Sequence, residues 1–102
     1  MVQVFANTKF NSISHGRKVV TTAGTAVTLA SSTPTNFVII TAETDNTGMI
    51  VVGGSTVIAA LATRQGTPLA AGESLVVPVE DLSWVYIYYT VNGDGVTLTF
   101  GA

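Results

Sequence analysis

The chain has no cysteine, which removes disulfides, thiolate nucleophiles and cysteine-ligated metals together, so the fold must hold by packing or by association with neighbours. Charge is almost as scarce. Charged residues make up 10% of the 102 positions, four Lys and Arg against six Asp and Glu, for a formal net charge of -2. No basic stripe exists to neutralise a phosphate backbone, which excludes nucleic acid as a partner. Apolar stretches are broken by Gly, Thr or Ser well before membrane-spanning length, and the first ten residues carry no basic region followed by a sustained apolar segment. The expectation is a chain with neither a conventional export signal nor a membrane helix.

What is abundant is β-forming apolar sequence. Hydrophobic residues reach 47% and the mean hydropathy is +0.51, carried by Val, Ile, Ala and Thr-rich segments of strand length, which points to sheet packing and to surfaces buried against neighbours. A chain of this length builds one hydrophobic core and not two. Residues 1–16 mix Asn, Ser and Thr with single apolar residues and read as an N-terminal arm or an irregular first strand; residues 17–102 read as a single β-domain. Strands are expected over 18–22, 25–29, 37–42, 49–52, 74–79, 84–90 and 96–100, with 55–62 as a strand leaving the sheet. Ala23-Gly24 fits either a tight hairpin or a kink in one strand. Residues 43–48 (ETDNTG) are expected to join two antiparallel neighbours, and Asn92-Gly93-Asp94-Gly95 reads as a hairpin turn. Residues 64–69 read as an extended loop around Pro68, and Pro78 places its strand at an edge or a bulge. Short strands with Gly-rich turns and no long helix predict an all-β fold, an antiparallel β-sandwich (jelly-roll-like) or a small β-barrel, with an extended N-terminal arm.

Chemistry-bearing residues are sparse. His15 is the single imidazole; a Ser-His-Asp arrangement would need it to reach Asp81 or Asp94 across the fold, and no local nucleophile motif accompanies it. Glu80 and Asp81 are adjacent and point apart on a strand, so they make no glycosidase pair by themselves. Asp45, Glu80, Asp81 and Asp94 match no metal-ligand spacing, and the Gly pairs lack the strand, helix and lysine of a phosphate loop. No catalytic, metal or cofactor-binding residue is assigned, and the carboxylates are read as solubilising turns. The strongest strand, 84–90, alternates Trp84, Tyr86 and Tyr88 on one face with Val85, Ile87 and Tyr89 on the other. One face must be core, leaving the other for a protein interface, or else for stacking on a sugar ring.

The order of Thr21-Thr22-Ala23-Gly24-Thr25-Ala26-Val27, Asp45-Asn46-Thr47-Gly48, Val51-Val52-Gly53-Gly54, Gly66-Thr67-Pro68-Leu69, Ala71-Gly72-Glu73-Ser74 and Gly93-Asp94-Gly95-Val96-Thr97 resembles that of the small all-β structural proteins of tailed-bacteriophage virions. The resemblance covers residues 17–100. It departs at 57–62, which is more apolar here than the Gly-containing polar turns of that class. The resemblance implies a head decoration or cement protein, or else a tail, collar or fibre module. It further implies a non-enzymatic virion component on the capsid exterior, made in the host cytoplasm, forming a homotrimer and binding the major capsid protein or another virion protein without cofactor, nucleic acid or membrane. Under the fibre alternative the partner is a host-surface carbohydrate or a second virion protein. The expected contact residues are Val2, Val4, Phe5 and Phe10 of the arm, with Trp84, Tyr86, Tyr88 and Tyr89 as a second set.

Overall fold

The structure, a computed structural model, describes residues 12–102. Eight strands run in the order β1 (Ile13–Val19), β2 (Ala26–Thr28), β3 (Phe37–Ala42), β4 (Ile50–Gly53), β5 (Thr67–Leu69), β6 (Ser74–Val77), β7 (Tyr86–Tyr89) and β8 (Gly95–Gly101). They form two four-stranded sheets, ordered β1-β8-β3-β6 and β2-β7-β4-β5, with every pairing antiparallel. The result is a small all-β domain with a β-sandwich-like arrangement. No helix among the described residues is long and apolar enough to cross a membrane.

Period-two alternation decides what lies between the sheets. From the first sheet Val38, Ile40 and Ala42 of β3 and Val96 and Leu98 of β8 turn inward; from the second come Ile50, Val52, Leu69, Ile87 and Tyr89. Leu29, Leu82 and Val85 close one end, and Val20 also joins the cluster. Each such fully enclosed apolar side chain contributes about 1.5–3 kcal/mol by removal from water, which is what holds a domain without disulfides together.

Two expected hairpins are not hairpins. Residues 43–48 join β3 of the first sheet to β4 of the second, and residues 90–94 join β7 of the second to β8 of the first. Both turns are corners that carry the chain between sheets, and they are bonded to each other: Asn46 Nδ2 donates to Gly95 O while Gly95 N donates to Asn46 Oδ1, each at 2.9 Å. A turn motif encodes reversal of direction; whether the returning strand pairs with its predecessor or crosses to the facing sheet depends on contacts that are remote in sequence. Ala23-Gly24 follows the same rule, since β1 and β2 lie in different sheets, so it is neither of the two alternatives expected for it.

The strand expected over 55–62 is replaced by a strap. After a turn closed by Val57 N to Gly54 O, only Ile58 finds a strand-like partner, in an isolated bridge to Gln65, and the chain reverses through a 3-10 turn at Leu61–Thr63. The alternation was real in one respect, because Val57 and Ala59 both point down onto the outer face of the second sheet. The extended loop expected around Pro68 contains β5, which pairs with β4 and forms a sheet edge. Strand β6 ends just before Pro78 and is the edge of the first sheet. Residues 12–16, placed with the arm or an irregular first strand, continue into β1 and are paired with β8 throughout, closed by Ser12 N to Ala102 O at 3.0 Å.

Candidate functional site

Strand β7 divides its aromatic residues between the two faces. Ile87 and Tyr89 are enclosed between the sheets, with the Tyr89 hydroxyl donating to Lys18 O at 2.8 Å; burial, helped by the negative charges of Glu43 and Asp94, pushes that phenol well above its usual range. Tyr89 is therefore an interior residue. Tyr86 and Tyr88 face outward and are half-covered by the strap, packing with Met49 and Ala26 against the small cluster of Val51, Val57 and Ala59. The Tyr88 hydroxyl donates to Gly24 O at 2.8 Å. Trp84 does not continue this row: it ends the 3-10 turn Leu82–Trp84, and it is 60% exposed. Val2, Val4, Phe5 and Phe10 lie outside the described residues.

The outer face of the first sheet is a surface that the sequence reading did not single out. Register places His15, Thr99, Ile39 and Val76 in one transverse row and Arg17, Thr97, Thr41 and Ser74 in the next. Thr41 Oγ1 and Ser74 Oγ share a hydrogen bond of 2.7 Å, and Ile13 and Val76 stand 71% and 46% exposed at opposite edges. The clue was present in the alternation of Phe37, Ile39 and Thr41 and of Thr97 and Thr99, but alternation does not say which face is outward.

Strand β1 borders this face with a free edge. Ser12 and Ala102 exchange both backbone bonds, so in the antiparallel register Ser14, Gly16 and Lys18 also bond inward to β8, and Ile13, His15, Arg17 and Val19 turn their N–H and C=O groups outward. Among the described residues no strand pairs with that edge. The other three edges are short: β2 and β5 have three residues each, β5 with Pro68 at its centre, and β6 has four. Long unpaired edges are templates for an added strand, and short or proline-containing ones are not.

The titratable residues do not converge. His15 sits in mid-strand opposite Thr99, five positions from Val20, whose N–H meets Asp94 O; at about 3.3 Å per residue this separates His15 from the Asp94 turn by roughly 16 Å. Asp81 accepts from Ser83 N, Thr33 N and Ser32 Oγ, which hold its carboxyl down at about 2. Asp94 is buried and accepts from Thr47 N at 3.1 Å and Gly48 N at 2.8 Å. Arg17 Nε pairs with Glu43 Oε2 at 2.9 Å, raising the guanidinium pKa through that hydrogen bond. Asp81 and Asp94, read as solubilising turns, instead organise backbone that would otherwise lack partners. Among the described residues no three His, Asp or Glu side chains gather as a metal site would require.

These features define a small all-β domain whose distinctive surfaces, among the described residues, are an exposed tryptophan, an outward Thr- and Ile-bearing sheet face and one long strand edge that no described strand pairs with. No protein-family model matches the chain, no curated protein matches it in sequence and no solved structure matches it in fold.

Proposed function

We propose that this chain is a non-enzymatic structural component of a tailed-bacteriophage particle, a head decoration or cement protein that binds the major capsid protein between subunits on the capsid exterior and stabilises the shell. The observation that carries the reading is the strand order. Sheets ordered β1-β8-β3-β6 and β2-β7-β4-β5 correspond to the double Greek key of an eight-stranded jelly roll, an architecture used repeatedly by viral capsid domains and lectins. This is support by fold analogy, and it joins the ordered turn motifs that resemble the phage class. Among the described residues, the β1 edge that no strand pairs with, the outer face of the first sheet and Trp84 supply contact surfaces.

The mechanism is mechanical. A protein that binds the assembled shell and not its separated subunits stabilises the assembled state by linkage, and repeated weak contacts around the particle add through avidity. The arm residues Val2, Val4, Phe5 and Phe10 form one contact set, and Trp84 with the exposed edges of Tyr86 and Tyr88 forms the other. A homotrimer presents three copies of each.

The test is co-sedimentation of the tagged chain with purified heads of the phage whose genome encodes it, with tails removed. Saturable binding that survives competing sugars, together with lower occupancy after deletion of residues 1–11 or in Trp84→Ala, supports the reading. Absence from heads combined with sugar-dependent retention on a glycan array overturns it in favour of a fibre or collar module.

A further inference from the structure

The corner that leads from β7 into β8 carries Asn92-Gly93, a dipeptide whose reactivity the proposed function does not use. Glycine offers a backbone nitrogen with no neighbouring side chain to hinder it, and a Cβ built at Gly93 would meet nothing within 4 Å. Both residues are exposed to water. Yet the Asn92 side-chain amide and the Gly93 N–H are both tied to the segment after β1. Asn92 Oδ1 accepts Ala23 N–H at 2.7 Å, and Gly93 N–H donates to Val20 O, also at 2.7 Å. Gly93 adopts φ 89, a conformation glycine holds without strain.

We propose that Asn92-Gly93 is a self-modifying deamidation site gated by this corner: closed, it is held inert; open, it converts. In the reaction the Gly93 nitrogen gives its proton to water and attacks Asn92 Cγ. The new N–Cγ bond forms as Cγ–Nδ2 breaks, and Nδ2 leaves as ammonia after taking a proton from solvent. Water then opens the cyclic imide. Cleavage of N–Cγ gives aspartate at 92, and cleavage of the imide bond to the Asn92 backbone carbonyl carbon gives isoaspartate, with the chain rerouted through the side chain. Water is the one co-reactant and nothing is oxidised. The Gly93 N–H must leave Val20 O before its nitrogen can lose a proton and attack, and the Ala23 N–H bond holds the Asn92 side chain in its present orientation, so the rate follows the population in which the corner has opened. The following pair, Asp94-Gly95, is restrained in the same way: the Asp94 carboxylate is held by Thr47 and Gly48, and Gly95 N by Asn46 Oδ1.

The products differ in consequence. Aspartate keeps an oxygen for Ala23 N–H and adds one negative charge to a chain of net -2, whereas isoaspartate adds a backbone carbon to a corner that fits one register. Modification at Asn92 therefore records how often this end of the molecule opens.

The experiment incubates the full chain in mildly alkaline buffer, folded and in denaturing urea, and follows amide-to-acid conversion at Asn92 by peptide mapping with mass spectrometry. Conversion about tenfold or more slower in the folded chain is expected. In Ala23→Pro, which deletes the donor to Asn92, the folded-state rate rises severalfold. Should circular dichroism show that variant unfolded, Asn46→Ala, which loosens the facing corner without touching either reacting residue, is read in its place and shows the same rise. Folded and urea rates within twofold of each other, or a folded variant with an unchanged rate, overturn the proposal.

Discussion

Asp94 and Asp81 each accept hydrogen bonds from two backbone N–H groups, but they answer to different perturbations. Asp94 is enclosed, and truncation in Asp94→Ala strands the Thr47 and Gly48 N–H groups at the corner between the sheets. The expected cost is roughly 1–3 kcal/mol, since water reaches Thr47 and relieves part of the loss. Urea denaturation should show a lower midpoint with an unchanged slope. Asp81 is read through pH. Its hydrogen bonds, from Ser83 N–H first and then from Thr33 N–H, lower the folded-state carboxyl from an ordinary 3.8 to about 2. A depressed folded pKa means that the bonded carboxylate stabilises the fold in full above about pH 4 and loses that contribution as pH falls toward 2. Asp81→Asn should therefore melt at a lower temperature than the parent at neutral pH, with the gap closing as melting is repeated toward pH 2. A gap that stays constant with pH would assign the loss to packing and not to the charge.

Among the elements, the strap over residues 54–66 has the clearest point of failure. Gly66 sits at φ 122, and a Cβ there would lie 2.7 Å from Val51 Cγ1, Val52 O and Val57 Cγ2. Gly66→Ala is expected to cost about 1–3 kcal/mol through backbone strain, with the overlap adding to it. Amide exchange should accelerate at Val57 and Ile58 ahead of the core strands, because the strap opens before the sandwich does. This region also marks the limit of what the sequence conveys. The alternation of 37–42, 84–90 and 96–100 predicts the strands found at Phe37–Ala42 and Gly95–Gly101 and the shorter one at Tyr86–Tyr89, because a strand with one face on a core must alternate whatever its neighbours are. Partner choice is not local: ETDNTG and NGDG read as hairpins and are crossings, and the Ala- and Leu-rich 55–62 reads as a strand although its chain turns back after one bridge. The surfaces were legible to the same degree. Tyr86 and Tyr88 share a face as their spacing required, but alternation left open, for β7 as for β3 and β8, which side would meet water. Trp84 parts from the tyrosine row because Asp81 nucleates a 3-10 turn, a side-chain effect that periodicity does not see.

At the scale of the molecule, the first and last strands of the described chain lie side by side, with β8 held between β1 and β3. The first sheet is incomplete until β8 pairs with β1, so folding waits on contacts between strands far apart in sequence, and closing so long a loop is slow. The ends themselves suggest how to shorten that wait. Ser12 and Ala102 exchange two backbone hydrogen bonds, N to O at 3.0 Å and 3.2 Å, the pattern of the residues that flank a two-residue β-turn. Joining Ala102 to Ser12 through Asn-Gly should therefore convert β8 and β1 into an ordinary hairpin without moving either strand. New termini belong at the 3-10 turn Leu61–Thr63, where Leu61 is 82% exposed and no side chain is buried. This permutant, lacking residues 1–11, is expected to keep the parent circular dichroism and, in stopped-flow refolding, to fold about tenfold faster, because its longest-range pairing has become its most local. A comparison chain that lacks residues 1–11 and keeps the original connectivity accounts for that deletion, and the pairing that the new break makes most remote is the three-residue one of β4 with β5 at a sheet edge. Equal rates for the two would mean that docking of the β1 and β8 ends is not the slow event, and would shift the barrier to the second sheet, where β7 must find its place between β2 and β4.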